Sequence, residues 1–296
     1  MSGEEGSAPA PEVPKPAKKK MSVGAKNDIL IGSVVFAVPI LGYASWWQGN
    51  RSLTGGFHST NEGFFGKDTY AGGSDKVSHG ILMWLGVDVS ERILRAFGNS
   101  EEKSRFMAVA LNLYAGIATE LGDGFSEYGF SWQDFACDAV GAFTSATISA
   151  LHLRDTVGVR FGPIQREAAP VPDTALPGRY AGDYSGEVYT MDLKLVGFLP
   201  RVGVQPGLLK YLLFSLSYNT KGFRYKPVGE REQNIGFEFG LNLAQIAYDL
   251  GLRETNGWNT TLMYFLTYAR LPFTSIGYRY DILHNRWHGP AAGAGF

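Results

Sequence analysis

Ile29-Leu-Ile-Gly-Ser-Val-Val-Phe-Ala-Val-Pro-Ile-Leu-Gly-Tyr-Ala-Ser-Trp-Trp47 runs for nineteen positions without a charged side chain. A helix needs ~20 such residues to cross the ~30 Å hydrocarbon layer of a bilayer, so residues 27–48 read as a transmembrane or signal-anchor helix. Lys18, Lys19, Lys20 and Lys26 precede it. Positive charge stays on the cytoplasmic side, which would send the main body into the periplasm and set Trp46 and Trp47 at the far interface. Two other readings stay open. Translation from Met21 would make residues 21–44 a cleaved signal peptide, with Gly42-Tyr43-Ala44 as its small-residue site. A buried core helix kinked at Pro39 is the third.

Upstream, residues 1–26 combine Pro-Ala-Pro-Glu-Val-Pro-Lys-Pro with a lysine run and few large apolar side chains. Such a segment cannot offset the entropy of ordering, and it reads as a disordered basic tail. Across the whole chain 27 Lys and Arg oppose 28 Asp and Glu. No global basic field exists to hold a phosphate backbone, which argues against nucleic acid as a partner. Membrane lipid is the expected partner, together with other envelope proteins or further copies of the chain. The single Cys137 can form no internal disulfide, and the default for a small thiol beside Ala136 is burial.

Downstream of the apolar run the period is helical through residues 49–155. Ser74 and Asp75 precede Val77, Ile81, Leu82, Leu85, Val89 and Leu94, spaced by threes and fours, which predicts a capped helix ending near Gly98. Ser100, Glu101 and Glu102 open a second pattern that runs to Gly122. Ser131-Trp-Gln-Asp134 resembles a capping box and opens a third, ending near Leu153. Gly141, Ala142, Ser145, Ala146 and Ser149 in that helix permit close backbone approach by a neighbour.

Residues 156–179 read as a linker, with Arg166 to Pro177 as the seam. Over residues 180–296 the period falls to two, with candidate strands at 189–199, 211–218, 235–243, 261–270 and 275–282. The predicted fold class is therefore α+β: an N-terminal membrane-associated four-helix bundle followed by a small antiparallel β-sheet domain. The alternation resembles that of outer-membrane barrels, but five strands fall short of the ~8 that close one. The expected arrangement packs one sheet face on the helices; copies joining into a composite barrel is the alternative.

Asp75 and His79 lie one turn apart on the first of these helices, Glu120 and Asp123 close the second, and Asp134 and Asp138 lie one turn apart on the third. Antiparallel packing with short connections brings all six to one end of the bundle. Several carboxylates with one imidazole can ligate a hard divalent cation or perform acid–base chemistry. No spacing matches an established zinc, phosphate or nucleophile motif, so cofactor and metal are undefined at this level. Helix capping alone accounts for Asp75 and Asp134. Glu120 opposes its helix dipole, and Asp138 lies a turn inside an apolar helix. Lys76 reads as a solvated charge or a partner for a neighbouring carboxylate. His58, Asn61 and Glu62 either lid the same end or belong to an aromatic interfacial loop.

Phe57-His58-Ser-Thr-Asn61-Glu62-Gly-Phe-Phe, Gly72-Gly73-Ser-Asp75-Lys76-Val-Ser-His79, Glu120-Leu-Gly-Asp123-Gly124-Phe-Ser126 and Gly129-Phe-Ser131-Trp132-Gln-Asp134 together resemble the signature of the YfiM-type family of periplasmic lipoproteins, a family without an assigned reaction. The Asp-Lys-x-x-His element also gives a looser similarity to VanZ-like membrane proteins. From that pattern the chain departs: Asp138 stands where Asn is expected, and Asp123 where Gln is. No lipobox cysteine lies near the apolar run, so the helix takes the anchoring role. The resemblance implies an envelope address and supplies no reaction. A structural or interaction role with the acidic cluster as glue between helices is the leading expectation. An enzyme acting on a lipid or cell-wall precursor at the bilayer surface is the alternative.

Overall fold

The computed structural model describes residues 21–47, 56–126, 128–163, 184, 187–223, 228–254 and 257–292. Residues 1–20 of the basic tail and the Arg166–Pro177 seam lie outside them. Helix α1 (Val23–Trp47) begins earlier than the expected 27, because Ser22 caps it by accepting from the Ala25 N–H at 3.2 Å. Over Val23–Leu41 it is long and apolar enough to cross a membrane, and the protein buries little of it. That exposure counts against a buried core helix. Pro39 sits inside it without ending it. Among the described residues it is the one candidate span, so the structure gives a four-helix unit with a single membrane-length helix.

The unit is completed by α2 (Ser74–Ala96), α3 (Glu101–Asp123) and α4 (Trp132–Ala150). Ser100 caps α3 by accepting from Lys103 N–H, and Ser131 caps α4 by accepting from Asp134 N–H at 3.2 Å. For α2 the expected Ser74 cap is absent: Gly73, at φ 96°, occupies the capping position, and the Ser74 hydroxyl instead accepts from Thr220 at 2.8 Å. Helix α1 docks on the α2–α3 turn through reciprocal Asn27–Asn99 amide bonds, and on α3 through the Tyr114 hydroxyl, which donates to Val35 O at 3.2 Å. The apolar core between helices is small: Met83, Val87, Leu94, Ala108 and Ala142.

Two short strands, β1 (Ser59–Thr60) and β2 (Phe130–Ser131), pair in parallel and fasten the loop before α2 to the start of α4. The main sheet has six strands in sequential antiparallel order: β3 (Val157–Pro163), β4 (Glu187–Lys194), β5 (Leu212–Lys221), β6 (Glu232–Leu241), β7 (Ser275–Asp281) and β8 (Arg286–Ala292). Four expected strands are present. The run expected at 189–199 stops at Lys194, where α5 (Leu195–Arg201) begins; α6 (Leu243–Asp249) follows β6.

Three expectations need correction. Residues 261–270 are not a strand but most of α7 (Gly257–Tyr268), in which Thr261 and Thr267 donate their hydroxyls to the carbonyls four residues back. Short runs of Thr and aromatics carry both periods, and those local bonds favour the helix. Strand β3 falls in the span read as linker, because Gly158 and Gly162 break its alternation. Finally, the sheet does not rest an apolar face on the helices. Its buried face is polar, with Arg160 bidentate on Asp192 and Arg270 bidentate on Glu238. Its apolar face is largely exposed. A period of two says which residues share a face, not which face is covered.

A further ionic group joins α2 to the turn between α4 and β3 and to α7. Arg154 reaches both Asp88 and Glu91, Arg92 pairs with Asp88 at 3.0 Å, and Tyr268 of α7 donates to Asp88. Burial opposes the Asp88 charge, but the Arg92 and Arg154 guanidinium groups hold its pKa below the usual carboxylate range.

Helices α2 and α4 touch backbone to backbone at Gly80 and Gly141. A methyl group on Gly141 would lie 2.0 Å from Gly80 O, inside any permitted contact. Gly141→Ala is therefore expected to force the helices apart and lower stability by about 1–3 kcal/mol, measured as thermal unfolding of the detergent-solubilised chain.

Candidate functional site

Because α3 runs antiparallel to its neighbours, the start of α2, the end of α3 and the start of α4 meet at one end, as their connections require. Lys76, expected as a solvated charge or a carboxylate partner, is 3% exposed and sits at the centre. Its ammonium group lies 2.8 Å from Asp75 Oδ2 and 2.6 Å from Asp134 Oδ1, and also donates to Glu62. The three carboxylates come from the loop, α2 and α4. Asn61, beside Glu62, accepts from the Gln133 amide, so this loop does lid the end.

His79 occupies the next turn of α2. Its Nδ1 is 3.0 Å from Asp138 Oδ1, a hydrogen bond across to α4. Its Nε2 is 3.9 Å from both Asp75 Oδ1 and Asp134 Oδ1, too far for a hydrogen bond but close enough for charge to matter. Glu120 turns inward at the end of α3 and accepts from Ser131 N–H at 3.0 Å. Of the six candidates five share this cluster. Asp123 stands at its rim, where its carbonyl accepts from Ser126 and Gly129 N–H in the turn after α3. Tyr184, from the segment beyond the seam, donates its hydroxyl to Asp75 Oδ1. Nothing in the sequence pattern singles it out.

Burial and charge then sort the protonation states. Burial pushes the Glu120 carboxyl up to about 8, against the Ser131 hydrogen bond. Burial likewise raises Glu62 to about 7, with Lys76 opposing. Asp138 is raised by burial as well, although His79 pulls it down. For Asp75 burial is outweighed by Lys76 and His79, which hold it low. His79 is lifted to about 9: burial disfavours its charge, but Asp138, Asp134 and Asp75 overcome that. At neutral pH the cluster thus contains two cations, Lys76 and His79, set among the aspartates.

Asp75, His79 and Asp134 place one oxygen or nitrogen each within 4.8 Å of one another. With Asp138 orienting the imidazole through Nδ1, this is a donor set that suits a divalent ion. Two features oppose it. Lys76 already bridges Asp75 and Asp134, and His79 must lose a proton before Nε2 can ligate. Beside the dyad a cavity of about 300 Å³ opens, walled by Val38 of α1, Leu82, Met83 and Ala115, with His79 and Asp138 on its lining.

An antiparallel sheet joined to a helical unit with a membrane-length helix defines a protein of mixed helix and sheet whose polar end is closed by ion pairs. The model of a family described as "Predicted periplasmic lipoprotein (DUF2279)" matches residues 61–150, under a third of the chain but the portion holding all six candidate residues. No curated protein and no solved structure matches the chain. The family description carries an envelope address and no reaction.

The raised groups fix a pH response. Each of His79, Glu62 and Glu120 binds its proton more tightly folded than unfolded, so each stabilises the fold at low pH and loses that contribution as pH rises through its folded pKa. Thermal stability is expected to fall between pH 6.5 and about 9 for the His79 contribution, and His79→Gln should make that fall shallower, leaving the part due to Glu62 and Glu120, which is complete by about pH 8. An unchanged profile in the variant rules this out.

Proposed function

We propose that this chain is a membrane-held envelope protein with a structural or interaction role, in which the acidic and histidine cluster acts as glue between helices. The observation that carries the reading is Lys76. One buried ammonium group draws carboxylates from three separate segments, so the cluster's negative charge is offset in part from within and its ion pairs hold those segments together. Helix α1 supplies the anchor, and Cys137, the only cysteine, lies in the middle of α4 rather than near the anchor. The match of residues 61–150 to a predicted periplasmic lipoprotein family supports the same address.

Lys76→Met tests the glue. Removing one partner of a buried ion-pair set strands the others, at a cost of about 3–5 kcal/mol. The detergent-purified variant is expected to melt far earlier than the wild type while the wild type carries no stoichiometric metal. A variant of unchanged stability, or a metal lost from His79→Ala and Asp138→Asn without unfolding, overturns the reading.

A second reading has the cavity in its favour. The His79–Asp138 dyad opens onto an apolar space beside the anchor helix, a setting suited to acid–base work on a lipid or cell-wall precursor. Under that reading Asp138→Asn folds normally and fails in turnover.

The anchor has its own test. With the lysine tail cytoplasmic and the body periplasmic, protease added to spheroplasts should degrade residues beyond 56 and spare an N-terminal epitope. An N-terminus found near residue 45 would establish a cleaved signal peptide, and a protected body would reverse the orientation.

A further inference from the structure

Strand register sorts the sheet's residues into rows. On one face Met191, Leu216, Phe237 and Tyr278 are successive cross-strand partners, and Leu193, Phe214, Phe239 and Ile276 form the next such row. Neither row holds a charge. Between them, on the opposite face, run Asp192, Ser215 and Glu238, and beyond those Thr190, Ser217 and Arg279. The polar rows are buried and the apolar rows are not: exposure reaches 50% at Ile276, 54% at Phe239 and 55% at Leu216.

This polarity is inverted relative to a sheet solvated by water, which turns its apolar face inward. It matches a sheet whose outer solvent is hydrocarbon, where apolar residues face out and polar residues pair inside. Among the described residues, the helical unit covers one end of this face, through Tyr218, Thr220 and Gln233, which bond to Ala71, Gly72 and Ser74. Elsewhere the aromatic rings pack on each other. Phe214 lies 5.4 Å from Phe239, Phe237 stacks on Tyr278 at 5.6 Å, and Tyr280 lies 5.2 Å from Trp287. Strands β5 and β6 have 10 residues each, near the ~9–11 that match a hydrocarbon layer.

We propose that the two uncharged apolar rows on the outer face of β4–β7 are a lipid-contacting surface, seated in the acyl-chain boundary of the bilayer that α1 enters. Two arguments select lipid over a second copy of the chain. The two apolar rows offer a single polar side-chain group, the Tyr278 hydroxyl, whereas protein interfaces carry about one hydrogen bond per 100–200 Å². And an anchor in the same molecule holds this face at high effective lipid concentration. Strand β8, an edge of the sheet among the described residues, carries exposed Arg286 beside Trp287; that pairing suits the headgroup level. The sheet then lies against lipid with its polar edge in water, which avoids an unpaired edge inside hydrocarbon.

Spin labels at Leu216→Cys, Phe239→Cys and Ile276→Cys, in a Cys137→Ser background, test this in vesicles of phosphatidylethanolamine and phosphatidylglycerol. Glu254→Cys, exposed in a loop, is the aqueous reference. The ratio of oxygen to nickel-chelate accessibility is expected several-fold higher at the three sheet positions. A ratio equal to the reference places the face in water and overturns the proposal. Exclusion of both reagents, with spin–spin broadening that grows with protein density, means a second copy covers the face and overturns it equally. Should the variants fail to fold, the wild-type chain with a carbene-generating photoreactive lipid decides: labelled peptides from β5 and β6 are expected, and label confined to α1 overturns the proposal.

Discussion

A lysine ammonium group buried to 3% exposure cannot stand alone, because removing a charge from water costs several kcal/mol even after the surroundings relax. Lys76 therefore dictates what surrounds it. Asp75 is one residue away, but Asp134 and Glu62 must be delivered by α4 and by the loop before α2, which fixes the relative position of three segments at one stroke. Apolar packing by Met83, Val87, Leu94, Ala108 and Ala142 stands beside this ionic set. Replacing the whole set with apolar side chains of equal volume need not destabilise the bundle. Removing one member does, since it strands the others, and the cluster is therefore better understood as specifying the packing than as supplying bulk stability.

The cluster depends in turn on how closely the helices approach. Gly80 against Gly141 brings α2 and α4 into backbone contact, and only at that separation does Asp138 reach His79 Nδ1 at 3.0 Å. Gly116 does the same from α3: a methyl group there would lie 2.5 Å from Asp138 Oδ2. Small residues on three helices thus create the low-dielectric pocket, and the pocket raises Glu120, Glu62 and Asp138 together. Packing and protonation are one effect here.

Much of this arrangement was legible in the sequence. Helix boundaries in the bundle followed from Ser100, Ser131 and the apolar spacing, and the convergence of Asp75, His79, Glu120, Asp134 and Asp138 followed from topology alone. Lys76 was legible only as a choice between solvated charge and partner, because burial depends on the third dimension. Tyr184 was invisible, for it arrives from a segment with no pattern of its own. Strand β3 was hidden by its glycines, and α7 looked like a strand because Thr, Tyr and Phe favour extended chain unless local hydroxyl bonds and tertiary contacts intervene.

The same inversion of polarity appears in both halves of the molecule. In the bundle Asp75, Lys76, Asp88, Glu91, Glu120 and Asp138 are buried, while Phe106, Trp132, Val140 and Phe143 are more than half exposed. In the sheet Arg160, Asp192 and Glu238, with Arg270 reaching Glu238 from beyond α7, are buried beneath an exposed aromatic face. A water-soluble domain of this size would place those apolar side chains inside and gain ~1.5–3 kcal/mol for each. A chain that spends its interior on ion pairs has its apolar groups solvated elsewhere. With a membrane-length helix in the same molecule, the lipid contact proposed for the sheet would bring the exposed apolar groups of both halves under one physical rule.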